Sequence, residues 1–121
     1  MKGNLDLGKR GEDVALEYLL ARGMEFVCRN ARAGHKEIDL IAIERNVLVF
    51  VEVKTRSNEF YGDVREAVTP RKMRNVILAA EAYMEHKKID LPVRFDVVPV
   101  VPVGDTHIIE HIREAFYPEL E

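Results

Sequence analysis

The stretch from Glu37 to Lys54, EIDLIAIERNVLVFVEVK, constrains the fold of this chain more than any other part of it. It reads as two β-strands joined by a short turn at Glu44-Arg-Asn-Val47. Both strands are apolar except at their outer ends, where the first carries Glu37 and Asp39 and the second carries Glu52 and Lys54. Side chains alternate between the faces of a strand, so each of these pairs shares a face. With Arg45-Asn46 as a two-residue turn, the antiparallel register pairs Glu44 with Val47, Ile43 with Leu48 and Ile41 with Phe50. Carried outward, it sets Asp39 against Glu52 and Glu37 against Lys54, with facing Cβ atoms about 5 Å apart. A turn of odd length would offset the register by one.

Two carboxylates directly opposite each other repel, and three arrangements relieve them. One carboxylate keeps a proton; or a divalent cation sits between hard oxygen ligands; or the strand ends lie in water, where the repulsion is weak. Lys54 suits the cation, because it would position a water or stabilise charge developing on a phosphate. The same residues also read as a surface ion-pair ladder of Glu52, Lys54 and Glu37.

The chain has 121 residues, which fits one domain with its own hydrophobic core. Its 47% apolar and 32% charged residues are ordinary for a globular protein. No apolar run approaches the roughly 20 residues needed to cross a bilayer, and Met1-Lys-Gly-Asn-Leu-Asp6 has no signal-peptide core. A single cysteine, Cys28, excludes an internal disulfide framework, and a buried inert thiol is expected. A cytoplasmic location with no membrane contact follows as an expectation. The net charge of −3 argues against a bulk polyanion binder, but leaves room for a local basic patch beside the acidic cluster. Its candidates are Arg29, Arg32, His35 and Lys36, then Lys54 and Arg56, then Arg71, Lys72 and Arg74. Each of these alone reads as a solvated surface charge.

Around the hairpin, helical spacing from Asp6 to Arg22 predicts a first helix, with Asp6 as N-cap and Gly23 at the C′ position. Gly8, Gly11 and Ala15 make a narrow small-residue track, whose cost in helix stability is explained by close approach to a sheet or a ligand. Glu12, at the edge of that track, is placed to point along the sheet towards the acidic cluster. Met24 to Asn30 reads as a strand, and Ala31 to Lys36 as a polar loop overlooking the site. Thr55 to Val68 gives mixed signals and would form a wall or lid. Thr69-Pro70 marks a helix start, with an apolar stripe from Met73 to Met84 and an end near Lys87. Arg71, Lys72 and Arg74 crowd its first turn, where the helix dipole disfavours cations. Val93 to Val101 reads as a strand buried on much of both faces, with Pro99 and Pro102 putting its end at an edge or bend. His107 to Ile112 is a last strand pairing back as a hairpin, and Arg113 to Glu121 a loosely ordered tail with two aromatics able to dock. The four histidines show no zinc-ligand spacing.

This order, αβββαββ, together with a carboxylate on the first helix, Asp39 and Glu52-Val-Lys54, resembles the PD-(D/E)XK nuclease superfamily. Gly8-Lys-Arg-Gly-Glu12-Asp-Val-Ala, Glu37-Ile-Asp-Leu-Ile41, Val49-Phe-Val-Glu-Val-Lys-Thr-Arg56, Lys72 and Arg94-Phe-Asp-Val97 look like the YraN-like family of small bacterial proteins, related to archaeal-type Holliday junction resolvases. The family's usual Gly-Glu-Ile-Asp stands here as Lys36-Glu-Ile-Asp39, with Gly34 upstream. The resemblance implies an α/β, restriction-endonuclease-like fold with a mixed central sheet of about five strands flanked by helices. It further implies that Asp39 and Glu52, helped by the Val53 carbonyl, bind Mg²⁺ or Mn²⁺, and that Lys54 orients the attacking water or stabilises the transition state. By the same resemblance Glu12 holds a metal-bound water or a second metal, and Thr55, Arg56 and Lys72 flank the substrate; Arg71 and Lys36, from the basic patch, are further candidate nucleic-acid contacts. The implied reaction is in-line attack of water on a DNA phosphodiester, on branched or recombination intermediates. Two equivalent DNA arms would suit a homodimer. Two other functions fit the same residues: a nucleic-acid-binding module without cleavage, and an interaction subunit whose carboxylates form a structural ladder.

Overall fold

The structure is a computed structural model that describes residues 4–55, 68–116 and 118. Helix α1 (Asn4–Ala21) leads into strands β1 (Glu25–Ala33), β2 (Lys36–Glu44) and β3 (Val47–Thr55). Helix α2 (Pro70–Lys87) follows, then β4 (Val93–Val103), β5 (Thr106–Ile109) and β6 (Ile112–Phe116). The sheet order is β1-β2-β3-β4-β5, with β6 also on β4; β3 and β4 run parallel and the other pairs antiparallel. This is the expected α/β arrangement, a mixed sheet with helices against it, with six strands among the described residues.

The hairpin turns where its sequence dictates. Arg45 (φ 50°) and Asn46 (φ 66°) both adopt left-handed backbone, the conformation of a two-residue turn matched to strand twist. The ladder then runs from Glu44 with Val47 to Leu40 with Val51, in the expected register. Helix α1 begins at Asn4, before the expected cap at Asp6. It ends as predicted: Gly23 takes φ 97°, its N–H reaching the Leu20 carbonyl and that of Met24 the Leu19 carbonyl. In α2, Thr69 is the N-cap, its hydroxyl accepting from the Lys72 N–H at 3.1 Å, and Pro70 occupies the first turn.

The two faces of the sheet hold separate apolar layers. On the α1 side Ala15 and Leu19 pack on Leu40, Ala42, Val49, Val51, Val98 and Val100. On the α2 side Val76, Ala79 and Ala80 pack on Ile38, Ile41, Leu48, Phe50, Phe95 and Val97. Phe50, Phe95 and Phe116 stack in sequence there, with centroids 5.6 and 5.2 Å apart. Ile38 and Leu40 lie two residues apart yet serve opposite layers. Strict alternation therefore fails at Asp39, opposite the stretch of β1 where Asn30 takes φ 55°.

Gly11 answers the question its helical position raised. A Cβ there would overlap the Thr55 hydroxyl and lie 3.1 Å from its Cβ, so α1 and the end of β3 touch backbone to side chain. Gly11→Ala should destabilise the protein by about 1–3 kcal/mol, more than the roughly 1 kcal/mol that alanine returns in helix propensity. Urea unfolding of the single variant and of the Gly11→Ala/Thr55→Ala pair checks this, with the pair recovering most of the loss.

The C-terminal expectations need correcting. Strand β4 runs past the expected Val101 to Val103, and Pro99 does sit at an edge, where the strand's partner changes from β6 to β5. The Pro99 carbonyl accepts from Glu110 N–H at 3.1 Å on that edge. A strand residue's N–H and C=O point the same way, so the donor that proline lacks falls in the gap between β5 and β6. The last strand is likewise two: β5 stops at Ile109, and residues assigned to a loose tail form β6, with Phe116 buried against Phe95. At the other end β1 runs on to Ala33, shortening the expected polar loop to a turn at Gly34-His35. The expected wall or lid falls mostly on residues 56–67, outside the described residues.

Candidate active site

Among the described residues, two charged side chains are buried: Glu52, 6% exposed, and Asp96, 0% exposed. They are treated in opposite ways, and the difference locates the site.

Asp96 is fully partnered. Arg94, two residues away on the same face of β4, grips it through Nε at 2.9 Å and a terminal nitrogen at 2.8 Å. His111 Nε2 stands 2.7 Å from Oδ2, and the Glu114 N–H donates to Oδ1 at 3.1 Å. A carboxylate only accepts, so His111 Nε2 carries the proton of that bond. Arg94 also reaches Glu44 at 2.8 Å, and Arg113 reaches the other Glu44 oxygen at 3.1 Å. Burial alone would raise the Asp96 pKa, but the hydrogen bonds from His111, Arg94 and the Glu114 N–H hold it below the ordinary range. Arg113, against a smaller burial penalty and with help from Arg94, pulls Glu44 down to about 2. This network ties β2, β4 and β6 together and leaves the two carboxylates ionised.

Glu52 is nearly the reverse. Its Oε1 is buried without a hydrogen-bond partner, and its Oε2 has Lys72 Nζ at 3.6 Å, an ion pair too long for a good hydrogen bond. Burial first, and the Asp39 carboxylate second, push its pKa well above the usual carboxylate range. Asp39 moves the same way, raised by burial and by the charges of Glu12 and Glu37 against the opposing Val53 N–H and Lys72. Without a cation, the pair therefore retains a proton at neutral pH. The expected face-to-face pairing is modified, because the ladder ends one pair short, at Leu40 and Val51. The Val53 N–H donates instead to Asp39 Oδ2 at 2.8 Å, which draws the carboxylate against the backbone of the Glu52-Val-Lys segment.

The other expected site residues divide. Lys72, carried in by the first turn of α2, joins the carboxylates. Lys54 is half-buried and shares a face with Glu52 by alternation along β3. Glu12 lies close enough to act on Asp39 through its charge, but its Oε1 is taken by Asn30 at 3.2 Å and Arg29 at 3.5 Å. Thr55 is turned to α1, against Gly11. Lys36 opens β2, half-buried, and Arg71 is exposed beside Lys72. Arg56 lies outside the described residues. Glu37 pairs with Arg32 at 3.7 Å across to β1, and Glu52 with Lys72, so the carboxylates are not held as a ladder with Lys54. Among the described residues no group of three or more His, Cys, Asp or Glu side chains is arranged as a metal site.

Sequence reasoning did not find the Asp96 network. Its local signal was an Arg-x-Asp pair on one face of an otherwise apolar strand, which demands partners; those partners, Glu44, His111 and Arg113, come from distant elements.

Known proteins resemble this chain along nearly its whole length. The family described as "Uncharacterised protein family UPF0102" matches residues 11–100, which span β1 to β3 and both site carboxylates. A UPF0102 protein of Bacteroides thetaiotaomicron is 47% identical over 115 residues, 95% of each chain. One from Rhodococcus opacus is 48% identical over 118 residues, covering 96% of this chain and 100% of its own. One from Prosthecochloris aestuarii is 42% identical over 123 residues, covering 94% of this chain and 95% of its own. No described helix is long and apolar enough to cross a membrane.

Proposed function

The chain belongs to the uncharacterised protein family UPF0102, and on that premise we propose that it is a metal-dependent nuclease of the PD-(D/E)XK type that hydrolyses phosphodiester bonds in DNA. One observation carries the reading. A buried carboxylate, Glu52, is left with an unpartnered oxygen beside a second carboxylate, in a protein that elsewhere satisfies buried Asp96 completely. Unsatisfied buried charge is costly, and a cation supplied from solution accounts for it.

The residues fit Mg²⁺ or Mn²⁺. Asp39 and Glu52 offer hard oxygen donors, the Val53 carbonyl is the third candidate, and Mg²⁺ characteristically uses one or two carboxylates and keeps several waters. Such a cation would supply activation of water and neutralisation of phosphate charge. The chain's own groups would do the rest. Lys54 would donate to the attacking water or to the phosphate oxygens. Glu12, released from Asn30 and Arg29 or acting through them, would orient water on the Asp39 side. Lys36, Arg71, Lys72 and Arg56 would contact the phosphate backbone, with Thr55 fixing the end of β3 beneath them. Branched or recombination intermediates are the proposed substrates. A homodimer would present two such sites to two equivalent arms.

A nucleic-acid-binding module without cleavage is the second reading. It is favoured by Glu12, whose carboxylate is tied to Asn30 and Arg29 rather than turned to Asp39. Incubation of the protein with Mg²⁺ or Mn²⁺ and duplex, nicked, flapped and four-way DNA separates the two. The nuclease cuts at least one substrate, and Glu52→Gln lowers the rate by about a thousandfold, the scale of losing one transition-state stabiliser. Uncut DNA throughout, with salt-dependent binding indifferent to metal, establishes the second reading instead.

A further inference from the structure

Lys72 stands in a place that local structure does not favour. It lies in the first turn of α2, where the helix dipole disfavours a cation, and that turn contains no acidic residue to offset it. Its backbone is nonetheless fixed, because its N–H is the one that the Thr69 cap binds and Pro70 sets the turn. The side chain is 43% exposed, yet its Nζ is aimed inward to 3.6 Å from Glu52 Oε2. What holds it there is the carboxylate pair, and the contact is an ion pair without hydrogen-bond length.

We propose that Lys72 is the resident counter-cation of the Asp39–Glu52 pair, which a divalent metal displaces from Glu52 when it binds. The inference rests on the metal-site reading above and adds a control to it. The ammonium reaches Glu52 Oε2 alone, at 3.6 Å, and Oε1 stays buried and unpartnered beside it. Asp39 and Glu52 would hold a divalent ion, whose larger charge would compete with the ammonium for Glu52. Lys72 then swings outward, at low cost because its side chain is already half in water. Its ammonium remains beside the site, at the start of a helix, where it meets a substrate phosphate. Lys72 thus holds the metal-free fold together and raises the metal concentration needed to load the site.

The test is Mn²⁺ titration calorimetry at about pH 8, on wild type, Lys72→Met and Lys72→Arg, with thermal unfolding of each as the folding control. Lys72→Met should bind Mn²⁺ about tenfold more tightly than wild type, a change of roughly 1.4 kcal/mol, while melting at lower temperature without metal. Lys72→Arg, which keeps the charge, should bind like wild type. A purely structural lysine would lower the melting temperature and leave the affinity unchanged or weaker; that result overturns the inference and leaves the metal site standing. Absence of Mn²⁺ binding by wild type and Lys72→Met alike overturns the metal-site reading, and this inference with it.

Discussion

Asp96→Asn should cost the protein about 3–5 kcal/mol, the loss expected when one member of a buried charge network is removed and its partner is left unpaired. Asp96 is 0% exposed and accepts from Arg94, His111 and the Glu114 N–H, so the neutral amide strands a half-buried guanidinium and sets an N–H₂ against donors. The loss should be visible as a shift of the urea midpoint with little change in slope, and should loosen β6 first, because Glu114 lies within that strand and His111 immediately precedes it. The pH dependence follows from the sign of the shifts. Asp96 and Glu44 both titrate below their ordinary values in the folded protein, Glu44 at about 2. Their contribution is therefore complete above the unfolded carboxylate range, near 4, and is lost as pH falls from there through the folded values. The gap between wild type and Asp96→Asn should narrow over that window. A variant within about 1 kcal/mol of wild type at neutral pH would show that the network adds specificity but little stability.

Glu52→Gln should do the opposite, raising the stability of the metal-free protein. Its folded pKa lies above its unfolded value. The folded state therefore binds more protons, and stability drains away as pH rises from the ordinary carboxylate range through neutrality. The isosteric amide removes that penalty. At neutral pH and above, the variant should melt several degrees higher, the equivalent of roughly 1–2 kcal/mol. Near pH 4, where the wild-type carboxyl is protonated in both states, the two should coincide. Added Mn²⁺ should raise the melting temperature of wild type alone. Equal melting temperatures at all pH values would mean that Glu52 carries no stored cost, and the argument from its unpartnered oxygen would fail. The two variants together set a structural carboxylate against the proposed metal ligand within a single sheet, the contrast expected if stability is traded for activity at Glu52.

Local chemistry made much of this arrangement legible in the sequence. The Arg45-Asn46 turn fixes the register of its hairpin, and the register brings Asp39 and Glu52 to the same strand ends. Thr69-Pro70 and Gly23 mark helix boundaries through backbone preferences that need no tertiary contact. Gly11 announced a close approach, though only the fold could supply Thr55 as the neighbour. What was not legible depended on residues far apart in the chain. Simple alternation cannot foresee that the ladder stops at Leu40 and that the Val53 N–H turns to a side chain. The polar text after Ile112 reads as a tail because Arg113 and Glu114 look solvated. They are instead the ties to Glu44 and Asp96 that make it a strand. The prolines of β4 mark an edge or bend in the sequence, but that Pro99 falls where β5 gives way to β6 depends on both later strands. Lys72 was a candidate phosphate contact in the sequence, and its pairing with Glu52 appears only once α2 is laid across the sheet.

If Asp39 and Glu52 are a metal site, as proposed, and not a repulsive accident of strand pairing, cation binding requires both. Calorimetric titration of Mn²⁺ into wild type and Asp39→Ala, in Ca²⁺-free buffer, tests it most directly. Wild type should bind saturably, and more tightly as pH rises because protons compete for the same oxygens, and Asp39→Ala should not bind. Equal binding to both proteins, or none to wild type with or without a DNA phosphate to complete the site, would contradict it.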